Sequence, residues 1–462
     1  MDKKNEKINS ILKKVIKIVK PDEEEIKTIN ITVNEVMGRL QKIINKNVEL
    51  LLTGSVARGT NVRGNYDIDI FLLFNRNLKE SEMEKKGLEI AKKIVNRNKN
   101  EKYIVKYAEH PYAMLILNDR AITVDLVPSF KIKNASERIS AVDRTQLHNQ
   151  FINNNFNEKL RDDVRLLKTF LNVNNIYGAE ARIEGFSGYL CELLIFHYGS
   201  FLDALKHISE IKLPLIIDIK HKNTIYDDKL SNEMVKKFNK DFIVIDPVDE
   251  NRNVAANISK ESLSIFILKA REFFDFPDIK KFYGPKYSNI NSRAYINELK
   301  NRFNLDIYVI AFKIPDIAED IIWQQIKKLK YKIHEALKQN NFNSEISFQN
   351  ISNKFGIICF FINKTDNSSK IIFGPDILMK DAVNSFIKKH KKSVLFINEN
   401  KICTIEKQEY NTPKKLLNAI IDKKIFEFPS YLSKQKNSLY INNIPEKYAK
   451  ILNEILHIKF LT

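Results

Sequence analysis

The sequence predicts an α+β protein with several distinct parts, and three observations support this prediction. Near the amino terminus, short apolar runs with strand-like alternation are interleaved with helical patterns, which predicts a mixed sheet packed against helices. Long helical patterns dominate from about residue 134 to residue 276. Residues 306–361 return to a strand–helix–strand–strand order. A chain of 462 residues is too long for one hydrophobic core, so these changes of pattern indicate separate domains.

The first 130 residues are predicted to form two helices followed by a partly antiparallel sheet. Pro21 separates the two helices, because a proline inside a helix removes a hydrogen bond and clashes with the preceding turn. The second helix carries apolar residues at helical spacing, namely Ile26, Ile29, Val33, Met37, Leu40 and Ile44. A further helix is predicted over Glu80–Arg97. The predicted strands are Glu49–Leu52, Asp67–Phe74, Ile104–Ala108, Tyr112–Leu117 and Ala121–Val127.

The rest of the chain is predicted to form a helical neck, a small sheet domain and a helical tail. The neck helices are predicted over Asp162–Leu171 and Phe186–Leu205. The sheet domain is predicted from Ile307–Ile314, the helix Pro315–Asn340 with Pro315 in its first turn, Glu345–Gln349 and Phe355–Ile362. This order is typical of a ferredoxin-like or RRM-like sheet, although the aromatic RNA-binding signature is missing. Short basic helices are expected over the last 51 residues, Thr412–Thr462.

The charge balance favours a polyanionic partner. Lys and Arg number 76 against 57 Asp and Glu, which gives a net charge of +19. The alternative explanation is a lysine-rich proteome, because Lys, Asn and Ile are all abundant. Hydrophobic residues make up 44% and charged residues 29% of the chain, as expected for a soluble globular protein.

The cysteines and the amino terminus predict a cytoplasmic protein. Cys191, Cys359 and Cys403 lie far apart in apolar surroundings without metal-ligand spacing, which predicts buried thiols in a reducing compartment. No apolar stretch approaches the length needed to span a bilayer. The amino-terminal segment lacks a signal-peptide cleavage site and is interpreted as an ordinary amphipathic helix.

The most informative stretch is Leu51–Phe74, which reads LLTGSVARGTNVRGNYDIDIFLLF. Asp67 and Asp69 lie two residues apart in a predicted strand, so both carboxylates point to the same face. Adjacent ionised carboxylates repel each other, and hard divalent metals prefer such oxygen ligands. Upstream, the turn Gly54-Ser55 leads into a helix and would offer backbone N–H groups to a phosphate. Metal carboxylates and a phosphate site are the parts needed to transfer a nucleotidyl group.

A third carboxylate, Asp125, interrupts the apolar predicted strand Ala121–Val127, where an unpaired charge is costly. Beside Asp67 and Asp69 it would complete a site for two Mg²⁺ ions about 3.5–4 Å apart. Such ions would lower the pKa of an attacking 3′-hydroxyl and bind a triphosphate. Asp125 is then the candidate general base or hydroxyl-orienting group. The alternative for Asp125 is a surface carboxylate on an edge strand.

This pattern of Gly-Ser, Asp-x-Asp and a distant strand Asp resembles the polymerase-beta-type nucleotidyltransferase superfamily. Several segments are further similar to the archaeal class I CCA-adding tRNA nucleotidyltransferases. They are KYAEHPY (Lys106–Tyr112), VDLVP (Val124–Pro128), RTQLH (Arg144–His148), DDVRLLKTF (Asp162–Phe170), IYGAEARIEGFSGYLCELL (Ile176–Leu194) and DPVDENRNVAAN (Asp246–Asn257). The resemblance covers about residues 30–275 and continues more weakly beyond, while the Arg-Arg-Asp-rich signature of class II enzymes is absent.

The resemblance implies roles for five residues of the nucleotidyltransferase motif. It implies that Asp67, Asp69 and Asp125 are the catalytic metal ligands, although the family often has Glu at the first of these positions. Ser55 and Arg58 match positions where a hydroxyl and a guanidinium contact nucleotide phosphates.

The resemblance also implies four nucleotide contacts farther along the chain. His148 and Lys168 match contacts to the triphosphate of ATP or CTP, and Tyr177 matches a contact near the ribose and phosphates. Arg252 resembles the arginine that helps to read the incoming base. Without the resemblance, Lys168 would be assigned to a solvated helix face and Tyr177 to core packing.

Three other residues are given no functional role. Asp246 and Asp249 flank Pro247 and are interpreted as turn residues, since Asp is common in turns. His110 has no partner at metal-ligand spacing in the sequence and is interpreted as a packed or turn histidine.

The resemblance implies template-independent addition of C, C and A to the 3′ end of tRNA from CTP and ATP, with release of pyrophosphate. It implies a catalytic nucleotidyltransferase palm (residues 1–133), a helical neck (134–276), an RRM-like body (277–395) and a tRNA-contacting tail (396–462). The expected partners are Mg²⁺, ATP, CTP and the acceptor and T-arm end of tRNA. Association with a membrane is not expected, and the protein is expected to form a homodimer. Two alternatives are a poly(A) polymerase or other RNA-tailing enzyme, and an RNA-binding protein that has lost catalysis.

Overall fold

The computed structural model describes residues 2–65, 67–95, 101–107, 110–117, 122–221, 227–283, 292–344, 346–352, 354–363 and 369–459. The chain divides into two compact units, Met1–Lys286 and Tyr287–Thr462. The finer division into four domains stays a prediction. A few predicted element ends, at Ala108, Ala121, Glu345 and Arg97, lie outside the described residues.

The first unit contains helices and strands in alternation. Its helices are α1 (Asp2–Val19), α2 (Glu23–Gln41), α3 (Gly54–Ala57), α4 (Glu80–Ile94), α5 (Thr145–Asn155), α6 (Glu158–Val173), α7 (Gly188–Tyr198), α8 (Phe201–Ser209), α9 (Asp228–Phe238) and α10 (Lys260–Asp275). Its strands are β1 (Val48–Thr53), β2 (Asp67–Phe74), β3 (Lys102–Tyr107), β4 (Pro111–Leu117), β5 (Ile122–Phe130), β6 (Leu215–Asp218), β7 (Phe242–Asp246) and β8 (Asp249–Asn253).

A five-stranded mixed sheet forms the amino-terminal part of this unit. Its strand order is β1-β2-β5-β4-β3, in which β2 and β5 are parallel and the other neighbours are antiparallel. One face is apolar, and residues such as Ile68 and Val124 are fully buried against α2 and α4. The five predicted strands are confirmed with small shifts at their ends. Because side chains alternate along a strand, the polar residues of β2 and β5 are left on the opposite face.

Local capping signals determine where several helices begin and end. The two amino-terminal helices separate as predicted, and Asp22 and Glu25 form a capping box at the start of α2. The prediction of one continuous helix over Phe186–Leu205 is wrong. Gly199 ends α7 with a left-handed φ of 83°, and the Ser200 side chain caps the start of α8. Glycine adopts this conformation readily because it has no Cβ.

The first unit also contains a small sheet in the order β6-β7-β8. β6 and β7 are parallel, and β7 and β8 are antiparallel. All five residues of β7 are buried, and it ends at Asp246, while β8 begins at the buried Asp249. The interpretation of these two aspartates as ordinary turn residues is therefore incomplete, because the hairpin carries both carboxylates into the interior.

In its described residues, the second unit contains two sheets. Its helices are α11 (Ser292–Phe303), α12 (Glu319–Gln339), α13 (Lys380–Lys389), α14 (Pro413–Ile421), α15 (Ser430–Ser433) and α16 (Glu446–Lys459). Its strands are β9 (Leu305–Lys313), β10 (Ile346–Ser352), β11 (Phe355–Asn363), β12 (Ser369–Asp376), β13 (Val394–Asn398), β14 (Lys401–Lys407) and β15 (Ser438–Ile441).

The first of these sheets has the strand order β10-β11-β9-β15, which is a ferredoxin-like arrangement. It confirms the predicted strand–helix–strand–strand order. Pro315 does not lie in the first turn of α12 as predicted, because that helix begins at Glu319. The fourth strand, β15, comes from the predicted tail and pairs with β9.

The second sheet has the order β12-β14-β13. The predicted boundary between residues 395 and 396 falls inside β13, so the chain between β11 and β15 is an insertion into the ferredoxin-like unit. The three cysteines are free and buried, as predicted. Among the described residues, no helix is both long enough and apolar enough to cross a membrane.

Candidate active site

Three carboxylates lie on the open face of the five-stranded sheet. In the β2–β5 pair, Asp69 lies directly opposite Asp125, and Asp67 lies opposite Thr123. Registered residues in neighbouring strands point to the same face, so the three aspartates share that face. The Thr123 hydroxyl donates a hydrogen bond to Asp67 Oδ1 at 3.1 Å. The structure therefore brings the three predicted carboxylates together.

Gly54 lies against Asp69 where β1 ends and α3 begins. Its φ is 74°, and a Cβ at this position would lie 1.8 Å from Asp69 Oδ2. Only glycine combines this backbone conformation with so close an approach. Ser55 follows in α3 and is partly buried, and its carbonyl accepts a hydrogen bond from the Thr60 amide at 2.9 Å.

The carboxylates lack enough positive charge from the protein. Burial raises the pKa of Asp69 to about 6, and the charge of Asp125 adds to that rise. Burial also raises the pKa of Asp125 to about 6, although Lys106 opposes the effect. Asp125 Oδ1 is buried and has no hydrogen-bond partner among the described residues. A divalent cation would relieve the repulsion and supply the missing partner, so the donor set fits a hard metal ion.

A fully buried carboxylate, Glu192 of α7, organises two of the predicted nucleotide-binding cations. Its Oε1 accepts hydrogen bonds from Arg58 Nε at 3.0 Å and Thr60 Oγ1 at 2.6 Å, and lies 3.8 Å from Lys168 Nζ. Burial alone would raise the pKa of Glu192, but the charges of Arg58 and Lys168 lower it overall. Glu192 is therefore ionised at neutral pH, and its charge holds both cations.

Lys168 lies on a buried face of α6 and not on a solvated one. Its ammonium donates to the Thr60 carbonyl at 3.0 Å and to Thr60 Oγ1 at 3.1 Å. From the same helix, Arg161 donates to the Arg58 carbonyl and Arg165 donates to a carbonyl of the same loop, both at 3.0 Å. Burial lowers the pKa of Lys168. Three basic residues of α6 thus fix the loop that follows α3.

Tyr177 is partly buried beside Lys168. A Cβ on Gly188 would lie 3.2 Å from the Tyr177 hydroxyl and 3.6 Å from Lys168 Nζ. Burial raises the pKa of Tyr177, so its hydroxyl stays protonated at neutral pH. The hydroxyl and the ammonium therefore converge at the first turn of α7.

A second buried carboxylate, Asp246, organises His148 and Arg252. Asp246 Oδ2 lies 3.0 Å from His148 Nε2 and 2.8 Å from Arg252 Nη1, and Oδ1 accepts from the Tyr189 hydroxyl at 3.1 Å. Burial alone would raise the pKa of Asp246, but its hydrogen bond with His148 and its pairing with Arg252 lower it to about 2. Burial lowers the pKa of His148. A neutral His148 therefore donates its Nε2 proton to an ionised Asp246 that Arg252 balances.

The His148 ring is also fixed by stacking. It lies on the Tyr189 ring with centroids 3.9 Å apart and an interplanar angle of 25°. One turn earlier along the chain, Arg144 Nη1 contacts Asp249 Oδ2 at 3.2 Å. Arg144 and Arg252 line a pocket of about 390 Å³ together with Arg138, Phe238, Asn251, Asn253, Val254, Ala256 and Asn257. Arginine and asparagine side chains make this pocket suited to a polar, negatively charged ligand.

Arg58 links the acidic and basic parts of the site. Its charge lowers the pKa of Asp69 against the influence of burial and of the other carboxylates. The same charge acts on His148 and on Lys168, lowering the pKa of each. Asp69 of the sheet and His148 and Lys168 of the helices therefore lie within electrostatic reach of one guanidinium.

Sequence reasoning missed the two supporting carboxylates. Glu192 is a charged residue in the otherwise apolar helix segment GYLCELLIFHY. That signal is the same one that identifies Asp125 in its apolar strand, and it could have identified Glu192. Asp246 precedes a proline, where Asp is common for local reasons, so its position in the sequence predicts only a turn residue.

Most of the chain matches known sequence families. Residues 32–148 match the nucleotidyltransferase domain, residues 162–283 match the second domain of tRNA nucleotidyltransferase, and residues 305–427 match the C-terminal domain of CCA-adding enzyme. The CCA-adding enzyme of Methanocaldococcus jannaschii is 36% identical over 445 residues, covering 94% of this chain and 95% of that protein. The chain belongs to the CCA-adding enzyme family.

Other CCA-adding enzymes are similar over nearly the same length. That of Archaeoglobus fulgidus is 34% identical over 88% of both chains, and that of Methanococcus maripaludis is 32% identical over 95% of this chain and 98% of its own. Membership of this family makes the chain a tRNA nucleotidyltransferase that adds CCA, and does not support the poly(A) polymerase alternative. Nucleotidyltransferases of this kind use a divalent metal ion and nucleoside triphosphates.

Proposed function

We propose that Asp67, Asp69 and Asp125 hold two Mg²⁺ ions during addition of C, C and A to the 3′ end of tRNA. When bound, these ions would offset the charge of the triphosphate and increase the acidity of the attacking hydroxyl. The observation that supports this role most strongly is the register that places Asp69 opposite Asp125, with a buried carboxylate oxygen that lacks a hydrogen-bond partner among the described residues.

The basic groups around Glu192 and Asp246 would bind the incoming CTP or ATP. Arg58, Lys168 and Ser55 would contact its phosphates, and Tyr177 would donate a hydrogen bond near the ribose. Lys168 is buried, so its charge is weakly screened and acts strongly on a phosphate that enters the site.

Two further groups would complete the nucleotide site. His148 would contact the triphosphate, and Arg252 would lie toward the base. Asp246 holds both side chains in place, and the Tyr189 hydroxyl in turn holds Asp246. The pocket beside Arg252 is also lined by Asn251 and Asn257, whose side-chain amides can pair with a base edge.

The reaction joins the 3′-oxygen of the tRNA to the α-phosphorus of the nucleotide. The bond from that phosphorus to the bridging oxygen breaks, and pyrophosphate leaves toward Arg58 and Lys168. Asp125 would orient the hydroxyl and accept its proton, because its buried Oδ1 has no hydrogen-bond partner among the described residues. The net charge of +19 supports binding of tRNA through its acceptor and T-arm stem. This binding would take place in the cytoplasm.

An incorporation assay tests this proposal. Transcripts of tRNA lacking CCA, ending in C and ending in CC would be incubated with Mg²⁺ and with CTP, ATP or both. We expect two C residues from CTP, then one A from ATP and a halt, with products sized at single-nucleotide resolution. Long A tails, or no incorporation into any of the three acceptors, would contradict the proposal.

A further inference from the structure

Two residues of α5, one helical turn apart, hold the two residues that close the β7–β8 turn. Asp246 ends β7, Asp249 begins β8, and the two are paired in the register of the hairpin. His148 Nε2 lies 3.0 Å from Asp246 Oδ2, and Arg144 Nη1 lies 3.2 Å from Asp249 Oδ2. Arg144 is the N-cap of α5, and residues four apart lie on the same face of a helix. We call the contacts His148–Asp246 and Arg144–Asp249 the hairpin clamp.

The four side chains of the hairpin clamp are buried. Asp246 is 0% exposed, and Arg144, His148 and Asp249 are each 8% exposed. Charges at such depth are weakly screened, and removal of one partner leaves the other without compensation. The next residue of β8, Glu250, is exposed. Neighbouring carboxylates of one strand therefore differ, because Asp249 holds the hairpin to α5 and Glu250 lies at the surface.

The hairpin clamp also determines the position of Arg252, which lies on β8 beyond Asp249. Arg252 Nη1 donates to Asp246 Oδ2 at 2.8 Å, so the carboxylate that pairs with His148 also orients this guanidinium. Arg252 and Arg144 line the same pocket of about 390 Å³. The position of Arg252 in this pocket therefore depends on where α5 holds the hairpin.

Helix α5 is in turn attached to the strand that leads to the proposed phosphate-binding turn. The Asn149 side chain donates to the Leu52 carbonyl of β1 at 3.3 Å. That strand runs directly into the turn at Gly54-Ser55. One helix thus joins the turn that would contact the nucleotide phosphates to the hairpin that carries Arg252. The distance between the two ends of a bound nucleotide is therefore set through α5.

The Arg144–Asp249 pair also balances like charges in the pocket. Arg138 Nε lies 3.8 Å from Asp249 Oδ2, so Arg138, Arg144 and Arg252 are gathered in one place. Burial lowers the pKa of Arg144, and the charges of Arg252 and Arg138 lower it further. The Asp249 carboxylate opposes this effect. Without the charge of Asp249, Arg144 would lose its partner and would repel Arg252.

We propose that Arg144 and Asp249 form a positioning pair that places Arg252 against the base of the incoming nucleotide and thereby determines the choice between CTP and ATP. The pair acts through the hairpin and does not itself contact the nucleotide. Binding groups must be held within about 0.5 Å of the productive geometry, so a small movement of the hairpin changes base choice. This inference rests on the proposed CCA-adding reaction and names the residues that hold its base-reading arginine.

Four variants test the positioning pair. They are Arg144→Gln, Asp249→Asn, the double variant that combines these two changes, and the control Glu250→Gln. Glu250 pairs with Lys220 at the surface, so the control removes an equal charge and an ion pair from the same strand. The double variant removes both charges of the pair, so it keeps the test decisive if a single variant with one unpaired charge fails to fold. Melting curves report whether each variant is folded.

Nucleotide selectivity is the main measurement. Transcripts of tRNA lacking CCA and ending in CC would be incubated with CTP or ATP, and kcat/KM for the correct nucleotide would be divided by kcat/KM for the wrong one. We expect this ratio to fall about tenfold in Arg144→Gln and in Asp249→Asn. The double variant should lose no more than either single variant, because all three lack the same contact. Glu250→Gln should keep the wild-type ratio.

Inhibition by tripolyphosphate, which has phosphates but no base, separates loss of base choice from general damage to the site. We expect its inhibition constant to stay within about twofold of wild type, because Glu192 holds Arg58 and Lys168 without the hairpin.

Three results would overturn the proposal. They are a wild-type selectivity ratio in the folded variants, an equal loss in Glu250→Gln, and losses that add in the double variant. Weaker inhibition by tripolyphosphate in parallel with the loss of selectivity would also overturn it, because the pair would then support the whole site. If the wild-type protein adds no nucleotide to any transcript, the proposed function fails instead.

Discussion

Two groups of acidic residues in the first unit differ both in burial and in their partners, since Asp69 and Asp125 are partly buried whereas Glu192 and Asp246 are completely buried. Asp69 and Asp125 face other carboxylates on the sheet, and the pKa of each is raised to about 6. Glu192 and Asp246 face cations supplied by helices and by a hairpin, and the pKa of each is lowered. The difference separates carboxylates that need a cation from outside the protein from those that the protein already neutralises.

The hydrogen bonds give the same contrast between Asp246 and Asp125, although Glu192 Oε2, like Asp125 Oδ1, has no hydrogen-bond partner among the described residues. Asp246 accepts from His148, Arg252, Tyr189 and the backbone amide of Val248. Asp125 Oδ1 has no hydrogen-bond partner among the described residues. A buried acceptor without a partner is costly, and at Asp125 a bound cation would remove that cost.

The largest expected effect is the loss of activity in Asp69→Asn. We expect nucleotide incorporation to fall about a thousandfold, because metal-assisted charge stabilisation contributes several kcal/mol. In the absence of metal, the melting temperature of Asp69→Asn should not fall below that of wild type. The substitution removes a negative charge that burial and the neighbouring Asp125 carboxylate destabilise. Incorporation rates, a melting curve and tRNA binding check this. Activity within tenfold of wild type would remove Asp69 from the metal site.

Glu192→Ala should affect both stability and nucleotide binding. Removing one partner of a buried ion pair costs about 3–5 kcal/mol, and Arg58 and Lys168 would lose the charge that holds them. We expect a lower free energy of unfolding by urea and a KM for CTP raised about tenfold. The matched variant Glu192→Gln keeps a hydrogen-bond acceptor and should lose less of each. A folded Glu192→Ala protein with normal KM would show that Glu192 does not position the cations.

The sheet carboxylates should make stabilisation by metal depend on pH. Their folded-state pKa of about 6 exceeds the ordinary value of 3.8, so the stability they contribute is present at low pH and is lost as pH rises through about 6. Metal and protons compete for the same oxygens. Excess Mg²⁺ should therefore raise the melting temperature about 3 °C more at pH 7.5 than at pH 5. If Mg²⁺ raises the melting temperature of Asp69→Asn by the same extra amount at pH 7.5, the sheet carboxylates are not the cause of the pH dependence.

The smallest expected effect concerns Asp246 in acid. Its pKa of about 2 lies below the ordinary value of 3.8, so its contribution to stability is present above pH 3.8 and is lost as pH falls through about 2. The contribution is about 2 kcal/mol. Asp246→Asn should be less stable than wild type at pH 7 and should lose less stability between pH 4 and pH 2. Parallel acid curves for the two proteins would exclude Asp246 as the titrating group.

The sequence predicts the carboxylate site better than its surroundings. Strand periodicity places Asp67 and Asp69 on one face, and burial cost identifies Asp125, but the register that joins them is a long-range pairing. Only the resemblance predicts Lys168, Tyr177 and His148, because their spacing carries no signal of its own. Their supports come from residues far along the chain, as in the His148–Asp246 contact across 98 positions.

Two features of the fold are not predicted by the sequence, for different physical reasons. The break between α7 and α8 depends on Gly199 and Ser200, which a mostly apolar segment masks. The addition of β15 to β9 joins segments separated by a long insertion, and no local pattern reports such a pairing.

Binding of Mn²⁺ in the presence of CTP, followed by electron paramagnetic resonance, tests the contrast between the two groups of carboxylates most directly. It would compare wild type with Asp125→Asn and Glu192→Gln, each of which removes one carboxylate charge. We expect Mn²⁺ affinity to fall at least about tenfold in Asp125→Asn and to change much less in Glu192→Gln. Equal losses in the two variants, or a larger loss in Glu192→Gln, would contradict the assignment of the metal to the sheet.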